Sequence, residues 1–169
     1  MILVNRLVTP LGPMVVCASE RGIILLEFAD RRMLETQLVR IARIFEAQFR
    51  VGVNEHIRQL DRELGEYFSG TRREFDVALM DIATDFQNSV WEQLKSIPLG
   101  ETSTYQRLAV RLDKPKAVRA VGRANGDNRL TILIPCHRVV GSDGSLTGYG
   151  GGLDRKQWLL DHERKMVGV

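Results

Sequence analysis

The sequence has few cysteines and no long apolar run. Only two of its 169 residues are cysteines, Cys17 and Cys136, and no Cys and His residues fall at the spacing of a metal site. This excludes a disulfide framework and points to a reducing compartment. No uninterrupted apolar stretch approaches the ~18 residues that span a bilayer, and the N-terminus lacks the basic and apolar regions of an export signal. We therefore predict a soluble cytoplasmic protein with no bound metal and no cofactor.

Basic residues are concentrated in the C-terminal part of the chain. Residues 1–100 hold 12 Lys and Arg against 14 Asp and Glu, whereas residues 101–169 hold 12 against 7, within a net charge of +3. A concentrated basic face favours a polyanionic partner, because each phosphate that is neutralised releases counterions. The alternative is a basic surface that only faces solvent, and charge alone favours that alternative.

Hydrophobic patterning predicts an N-terminal domain over residues 1–80, which we interpret as a scaffold. Three strands, two amphipathic helices and a returning strand are predicted, in chain order at residues 2–8, 14–18, 22–28, 32–49, 55–68 and 74–80. The strands alternate with turn residues, which is typical of a small antiparallel sheet. Apolar residues at spacings of three and four mark the helices. No His, Cys or carboxylate cluster in this domain has a spacing that suggests chemistry.

Helices dominate the second predicted domain, residues 81–169. Three residue pairs have the spacing of helix N-caps: Thr84 with Gln87, Ser103 with Gln106, and Asp154 with Gln157. The predicted helices run from Thr84 to Pro98 and over residues 105–112, 116–125 and 155–162. The two short middle helices form a helix-turn-helix pattern. The predicted fold class is α/β of the α+β type: a small N-terminal antiparallel sheet with helices, then a mostly helical domain with a helix-turn-helix and an active-site turn.

The helix over residues 116–125 combines small residues with two arginines. Arg119 and Arg123 lie four residues apart and project from one side, while small residues would let the helix backbone approach a partner closely. Such a helix suits a DNA groove, and its lack of long base-reading side chains predicts sequence-independent binding through phosphates. The alternative, a small-residue helix packed on its neighbour with solvated arginines, is equally consistent with the helix alone.

A thiol beside an imidazole follows an apolar run. Residues 130–134 have the composition of a buried strand that stops at Pro135, and Cys136 and His137 come next. A neighbouring base can lower the pKa of a cysteine from about 8.5 towards neutrality, which makes Cys136 a candidate nucleophile. Glu163 could orient His137 in a Cys-His-acid arrangement. Two alternatives stay open: Cys136 as a small buried hydrophobe, and Glu163 paired with a surface cation.

Glycines are concentrated in residues 141–152, Gly-Ser-Asp-Gly-Ser-Leu-Thr-Gly-Tyr-Gly-Gly-Gly. A loop of this composition can fold over a flat ligand and present backbone N–H groups to it. It has neither the spacing nor the lysine of a phosphate-binding loop, so a nucleotide triphosphate site is not expected.

Several of these motifs, taken together, resemble one family. They are Pro135-Cys136-His137-Arg138-Val139, Tyr149-Gly150-Gly151-Gly152, Arg119-Ala120-Val121-Gly122 with Asn128, and the run from Lys156 to Glu163. Over residues 86–163 the sequence closely resembles the O6-alkylguanine-DNA alkyltransferases, and the resemblance is looser over residues 1–80. It implies direct-reversal DNA repair by a protein-cysteine S-methyltransferase. The alkyl group of O6-alkylguanine, and by extension O4-alkylthymine, would move irreversibly to the protein's own cysteine in a single turnover.

The resemblance implies a catalytic role for five residues. Cys136 would accept the alkyl group, His137 would remove the thiol proton through a water, and Glu163 would orient His137. Tyr105 would donate a hydrogen bond to the departing guanine, so that it leaves as a neutral species. Asn128 would link the recognition helix to the active-site turn.

The resemblance also implies double-stranded DNA as the partner, bound through the minor groove with the damaged base flipped out. Arg119 would enter the stack where the flipped nucleotide has left. Further DNA contacts are expected from Ala120, Gly122, Arg123, Asn125 and Tyr105, and a guanine pocket from Val139, Tyr149, Gly150 and Ser142. We expect a monomer; cooperative binding along DNA and the preferred alkyl size are left open.

The sequence also departs from parts of the family pattern. Some members bind a structural zinc ion near the N-terminus, but Cys17 has no nearby Cys or His in sequence, which predicts no metal. A DNA-binding regulator would use the same two short helices without needing Cys136, and a cysteine hydrolase would use Cys136 with repeated turnover and an oxyanion hole.

Overall fold

The computed structural model describes residues 1–80 and 82–169 and divides into two compact units, Met1–Ile82 and Ala83–Val169. The predicted change from strands to helices fell at residues 81–83, of which residue 81 lies outside the described part. Within the described residues, no helix has both the length and the apolar character needed to cross a bilayer.

The first unit is built on a four-stranded sheet. Its strands are β1 (Ile2–Thr9), β2 (Gly12–Ser19), β3 (Gly22–Phe28) and β4 (Phe49–Val51), in the spatial order β3-β2-β1-β4. The antiparallel pairing predicted for the first three strands is confirmed. However, β4 runs parallel to β1 and makes the sheet mixed.

Two helices accompany this sheet, α1 (Leu34–Ile44) and α2 (Glu55–Phe68). The predicted bounds of α2 are confirmed, and Asn54 caps it by accepting a hydrogen bond from Ile57 N–H at 3.0 Å. The predicted helix over residues 32–49 is wrong beyond Ile44. Glu46 adopts a left-handed φ of 45° that ends the helix, and Phe49 begins β4. Of the predicted strand at residues 74–80, only a single bridge between Leu79 and Ile23 forms.

Cys17 is fully buried in the core of this unit, with Ile2, Ile24, Leu25 and Ile41. Burial raises the pKa of the Cys17 thiol to about 12, because the apolar surroundings disfavour the thiolate. Cys17 is therefore an inert structural residue.

The second unit is mostly helical. In chain order it contains α3 (Asp85–Lys95), β5 (Ser103–Thr104), α4 (Tyr105–Arg111), α5 (Val118–Gly126), β6 (Val139–Val140) and α6 (Leu153–Met166). The capping box of Thr84 and Gln87 at α3 is confirmed. The short strands β5 and β6 pair in parallel, which places the start of α4 beside the segment that follows Cys136.

Two local predictions in this unit are wrong. Thr104, not Ser103, caps α4 by accepting from Arg107 N–H at 3.1 Å, because α4 begins at Tyr105 and Thr104 is the residue directly before it. No side chain caps α6, so Asp154 does not cap the helix and lies in its first turn. Trp158 is 37% exposed and stacks on His162, whereas Leu159 and Leu160 are buried.

Candidate active site

A tight turn, not a strand, leads into Cys136. The apolar residues 130–134 fold back on themselves, with Ile134 N–H donating to Leu130 C=O at 2.8 Å. Ile132 adopts a left-handed φ of 73° although it is β-branched and only 3% exposed. A branched side chain disfavours this conformation, so the surrounding contacts must hold it. The apolar composition correctly indicated burial but not the strand conformation.

Asn128 holds this turn at both ends. Its Nδ2 donates to Ile134 C=O at 2.9 Å, and its Oδ1 accepts from Leu130 N–H at 3.0 Å. Asn128 lies just after α5 and is 1% exposed. The side chain therefore connects the end of α5 to the segment that carries Cys136.

Cys136 begins a 3₁₀ turn, Cys136–Arg138, directly after Pro135. Its side chain is nearly enclosed, since the residue is 6% exposed. The next two side chains, His137 and Arg138, contact Glu163 on α6.

His137 and Glu163 form a buried pair. His137 Nε2 lies 2.8 Å from Glu163 Oε1, and both residues are fully buried. Because a carboxylate only accepts, Nε2–H must be the donor, and in the neutral ring Nδ1 is then the atom that can take a proton. Among the described residues Nδ1 has no hydrogen-bond partner. The predicted contact of Glu163 with His137 is thus present, and the surface pairing of Glu163 is not.

Arg138 joins the same carboxylate from the other side. Its Nε donates to Glu163 Oε2 at 2.8 Å and its Nη2 to Glu163 Oε1 at 2.9 Å. Burial would raise the pKa of Glu163, but the charge and hydrogen bonds of His137, together with those of Arg138, outweigh it and hold the pKa well below its usual range. Glu163 is therefore an anion at every physiological pH.

Lys156 is a second buried cation near the thiol. It lies two turns before Glu163 on α6, so both side chains project from one helix face, and it is 0% exposed. Its Nζ donates to Thr147 C=O at 2.8 Å. Burial lowers the pKa of Lys156, and attraction to the Cys136 thiolate opposes that shift. Sequence reasoning missed roles for Lys156 and Arg138; the seven-residue spacing of Lys156 from Glu163 was the available signal.

The glycine-rich segment comes close to Tyr105. The Tyr105 hydroxyl donates to Thr147 C=O at 3.4 Å, and a Cβ on Gly148 would lie 3.9 Å from that hydroxyl. Thr147 C=O thus accepts from both Tyr105 and Lys156. Of the predicted pocket residues, Val139 is fully buried in β6, Tyr149 is half-buried, and Ser142 and Gly150 are exposed.

Helix α5 has a buried face and an exposed face. Val121 and Ala124 are buried, and Trp91 Nε1–H on α3 donates to Ala124 C=O at 2.9 Å. The predicted DNA contacts Arg119, Ala120 and Arg123 are exposed, and Gly122 faces the Tyr105 ring, 3.8 Å from where a Cβ would stand. One face of α5 therefore packs against its neighbours, and the face that carries Arg119 and Arg123 is accessible, so DNA binding by that face stays a prediction.

Asn125 does not match its predicted place among the DNA-binding residues. It is 4% exposed on the buried face of α5, and its Oδ1 has no hydrogen-bond partner among the described residues. Burial follows from helical periodicity, since Asn125 lies four residues after the buried Val121. Its side chain is not part of the exposed face that carries Arg119 and Arg123.

The turn between α4 and α5 is held by side chains from both sides. Gln106 Nε2 donates to Pro115 C=O at 3.2 Å, so Gln106 braces this turn instead of completing the capping box predicted with Ser103. Lys114 lies over the Phe86 ring, 5.2 Å from its centroid. The helix-turn-helix arrangement of α4 and α5 agrees with the prediction.

Within the described residues, no group of three His, Cys, Asp or Glu side chains could hold a metal ion.

Two family models match most of the chain. Residues 5–80 match the ribonuclease-like domain of 6-O-methylguanine DNA methyltransferase, and residues 85–165 match its DNA-binding domain. The chain belongs to this family. The resemblance found over the motifs of residues 86–163 is therefore confirmed.

Curated relatives of this family align over nearly the whole chain. A methylated-DNA–protein-cysteine methyltransferase of Methanosarcina barkeri is 44% identical over 155 residues, which cover 92% of each chain. One of Salmonella typhimurium is 41% identical over 164 residues, 96% of this chain and 95% of the relative.

Solved structures of family members have the same fold. The crystal structure of Mycobacterium tuberculosis O6-methylguanine methyltransferase matches with a TM-score of 0.83 and 36% identity, covering 98% of this chain and 94% of that one. A structure of the M. tuberculosis OGT in complex with DNA matches with a TM-score of 0.79 at 36% identity, over 98% of this chain and 93% of that one. The predicted fold class, a small sheet with helices followed by a helical part, is confirmed.

Proposed function

We propose that this protein repairs DNA by direct reversal: it moves the alkyl group of O6-alkylguanine in double-stranded DNA to Cys136. The observation that carries the proposal is the buried contact of His137 Nε2 with Glu163 Oε1, at 2.8 Å, next to a nearly enclosed thiol. The membership of the family supports the reaction class. We further expect a monomer that acts in the cytoplasm, with residues 1–80 as the scaffold and O4-alkylthymine as a second substrate.

The reaction needs a strong nucleophile and a proton donor, because the base is a poor leaving group. His137 Nδ1, acting through a water, takes the thiol proton, and Glu163 holds the ring in that tautomer. The Cys136 sulfur then forms a bond to the alkyl carbon while the carbon–O6 bond breaks. The electron pair of that bond stays with guanine, which receives a proton from the Tyr105 hydroxyl and leaves neutral.

The product explains why each molecule acts once. The new carbon–sulfur bond is a thioether, and no group in the site can cleave it. The Tyr105 hydroxyl donates to Thr147 C=O in the glycine-rich segment at 3.4 Å, and this proximity supports its proposed role as proton donor. We place the guanine between this segment and the backbone around Cys136 and Val139, with Tyr149, Gly150 and Ser142 at its edge.

The attacked atom lies inside a duplex, so the nucleotide must rotate out, at a cost of a few kcal/mol. The exposed face of α5 supports this step. Arg119 would fill the vacated stack, while Ala120 and Gly122 allow close approach to the minor groove and Arg123 contacts a phosphate.

A single-turnover assay tests the proposal. Excess duplex DNA containing one O6-methylguanine is incubated with protein, and the lesion is counted by nuclease digestion and chromatography. We expect one lesion removed per molecule, none by Cys136→Ala, and one by the matched control Cys17→Ala. Lesion removal by Cys136→Ala, or repeated turnover, would contradict the proposal. Tight lesion binding without removal would indicate a DNA-binding regulator instead.

A further inference from the structure

Arg138 is a buried cation with no role in the reaction described above. It is 9% exposed and donates hydrogen bonds to Glu163 and Ile97, which both belong to the second unit. Two of its nitrogens bind Glu163, and Nη1 donates to Ile97 C=O at 2.6 Å, just beyond the end of α3. A guanidinium stays charged at every accessible pH and suits a bidentate carboxylate contact. The site therefore carries a fixed positive charge on the far side of the Glu163 carboxylate.

The carboxylate is shared in a way that affects His137. Glu163 Oε1 accepts from both His137 Nε2, at 2.8 Å, and Arg138 Nη2, at 2.9 Å. A buried carboxylate alone would strongly stabilise the imidazolium, the doubly protonated ring, because opposite charges attract more at low dielectric. An imidazole that already carries its second proton cannot take one from a thiol. The guanidinium offsets this attraction.

We propose that Arg138 is a positioning residue for alkyl transfer: it fixes Glu163 bidentately and balances its charge, so that His137 can accept the Cys136 proton near neutral pH. The proposal rests on the proposed function and adds a residue to its machinery. The Ile97 contact anchors the guanidinium, and through it the carboxylate, to the end of α3.

Few other charges face this cluster. From α6 the nearby ionisable groups are Glu163 itself and Lys156, which interacts with Cys136. On α3, Glu92 and Lys95 are paired with each other at 2.7 Å, with exposed or partly exposed side chains, and Asp85 is exposed in the first turn. From the segment after α3, the Ile97 carbonyl accepts a hydrogen bond from Arg138. Arg138 is thus the cation that directly balances the carboxylate.

The proposal predicts a shift in pH dependence rather than a uniform loss of rate. At low pH the Cys136–His137 pair carries one proton too many for His137 to act as a base. Removing the positive charge of Arg138 makes that proton harder to remove. The acid limb of the rate profile should therefore move to higher pH, by about one unit or more, as expected for a charge at this distance. Arg138→Met removes the charge but keeps a long apolar stem, whereas Arg138→Lys keeps the charge and loses the bidentate fork.

Two reactions measure this profile. The rate of benzyl transfer from free O6-benzylguanine is followed by mass from pH 5 to 9, which removes DNA binding from the measurement. The rate of Cys136 labelling by iodoacetamide is followed over the same range in a Cys17→Ala background. Failure of the wild type to remove O6-methylguanine from duplex DNA would refute the proposed function, while the labelling profile would still test Arg138.

The expected result is that the pH midpoint of the acid limb shifts upward in Arg138→Met and returns towards the wild-type value in Arg138→Lys. Thermal unfolding of each variant is measured in parallel. A uniform loss of rate with an unchanged midpoint in both variants would overturn the proposal and leave Arg138 with a structural role. If Arg138→Met does not fold, an Arg138→Lys midpoint more than one unit above wild type would overturn the charge-balance role.

Discussion

Replacing Asn128 with Ala removes the two hydrogen bonds that hold the turn before Cys136. Asn128 is 1% exposed, and its amide bridges Ile134 C=O at 2.9 Å and Leu130 N–H at 3.0 Å. Ile134 C=O keeps a second donor, Cys136 N–H at 2.8 Å, whereas Leu130 N–H loses the acceptor that Asn128 provides. The turn also contains Ile132 at φ 73°, a conformation that only its surroundings maintain.

The cost can be estimated from these contacts. A buried hydrogen bond contributes about 1 kcal/mol net, and a donor left buried without a partner costs about 1–3 kcal/mol. Asn128→Ala should therefore lower the free energy of unfolding by about 2–4 kcal/mol. Release of Ile132 would also displace Cys136, and a displacement on the order of 1 Å can reduce a rate about 100-fold.

Asn125→Ala is the matched control. Asn125 is also a buried asparagine, only three residues away, but its Oδ1 has no hydrogen-bond partner among the described residues. Urea unfolding and the rate of alkyl transfer to protein are measured for both variants. We expect a large loss of stability and rate for Asn128→Ala and less than about 1 kcal/mol for Asn125→Ala, since Ala favours a helix. Equal losses in the two variants would refute the bridging role of Asn128.

Three further predictions follow from buried and exposed charges. The pKa of Cys17 is raised to about 12, so its stabilising contribution is present below its unfolded pKa and is lost as pH rises. From about pH 9 the free energy of unfolding of the wild type, measured with urea, should fall by up to ~1.4 kcal/mol per pH unit relative to Cys17→Ala. Parallel curves of unfolding free energy against pH for the two proteins would contradict this. The pKa of Glu163 is lowered, so its contribution to stability is present above about pH 4.3 and is lost as pH falls. Glu163→Gln should lower the free energy of unfolding by about 3 kcal/mol at pH 7, and the difference from wild type should narrow in acid. The same variant should slow alkyl transfer with DNA affinity nearly intact, and an unaltered rate would remove Glu163 from the mechanism. Arg119→Ala should slow repair of duplex DNA more than reaction with free O6-benzylguanine, because only duplex DNA requires base flipping, and equal losses in the two rates would count against that role.

Patterns with local causes could be predicted from the sequence. The bounds of α2 followed from a helical apolar stripe and the breaker after it, and the capping box at Thr84 followed from a three-residue spacing. The residue types alone left the contact of Glu163 with His137 as one of two alternatives, and the family resemblance favoured it. Spacing could not supply it, because 26 residues separate the two.

Predictions failed where tertiary contacts decide the backbone. Residues 130–134 are as apolar as a buried strand, but Asn128 folds them into a turn. Ser103 and Thr104 both have the chemistry of an N-cap, and the start of α4 at Tyr105 makes Thr104 the cap. The sequence shows Arg138 only as part of a motif, because nothing local indicates that its guanidinium binds Glu163.

Peptide mapping of the reacted protein tests the central claim most directly. The protein is incubated with excess duplex DNA containing O6-methylguanine, digested with trypsin and analysed by mass spectrometry, and the two cysteine peptides are compared. One added methyl group on the peptide with Cys136, and none on the peptide with Cys17, is the result we predict. A methyl group on Cys17, or loss of the lesion from DNA with Cys136 unmodified, would contradict the account.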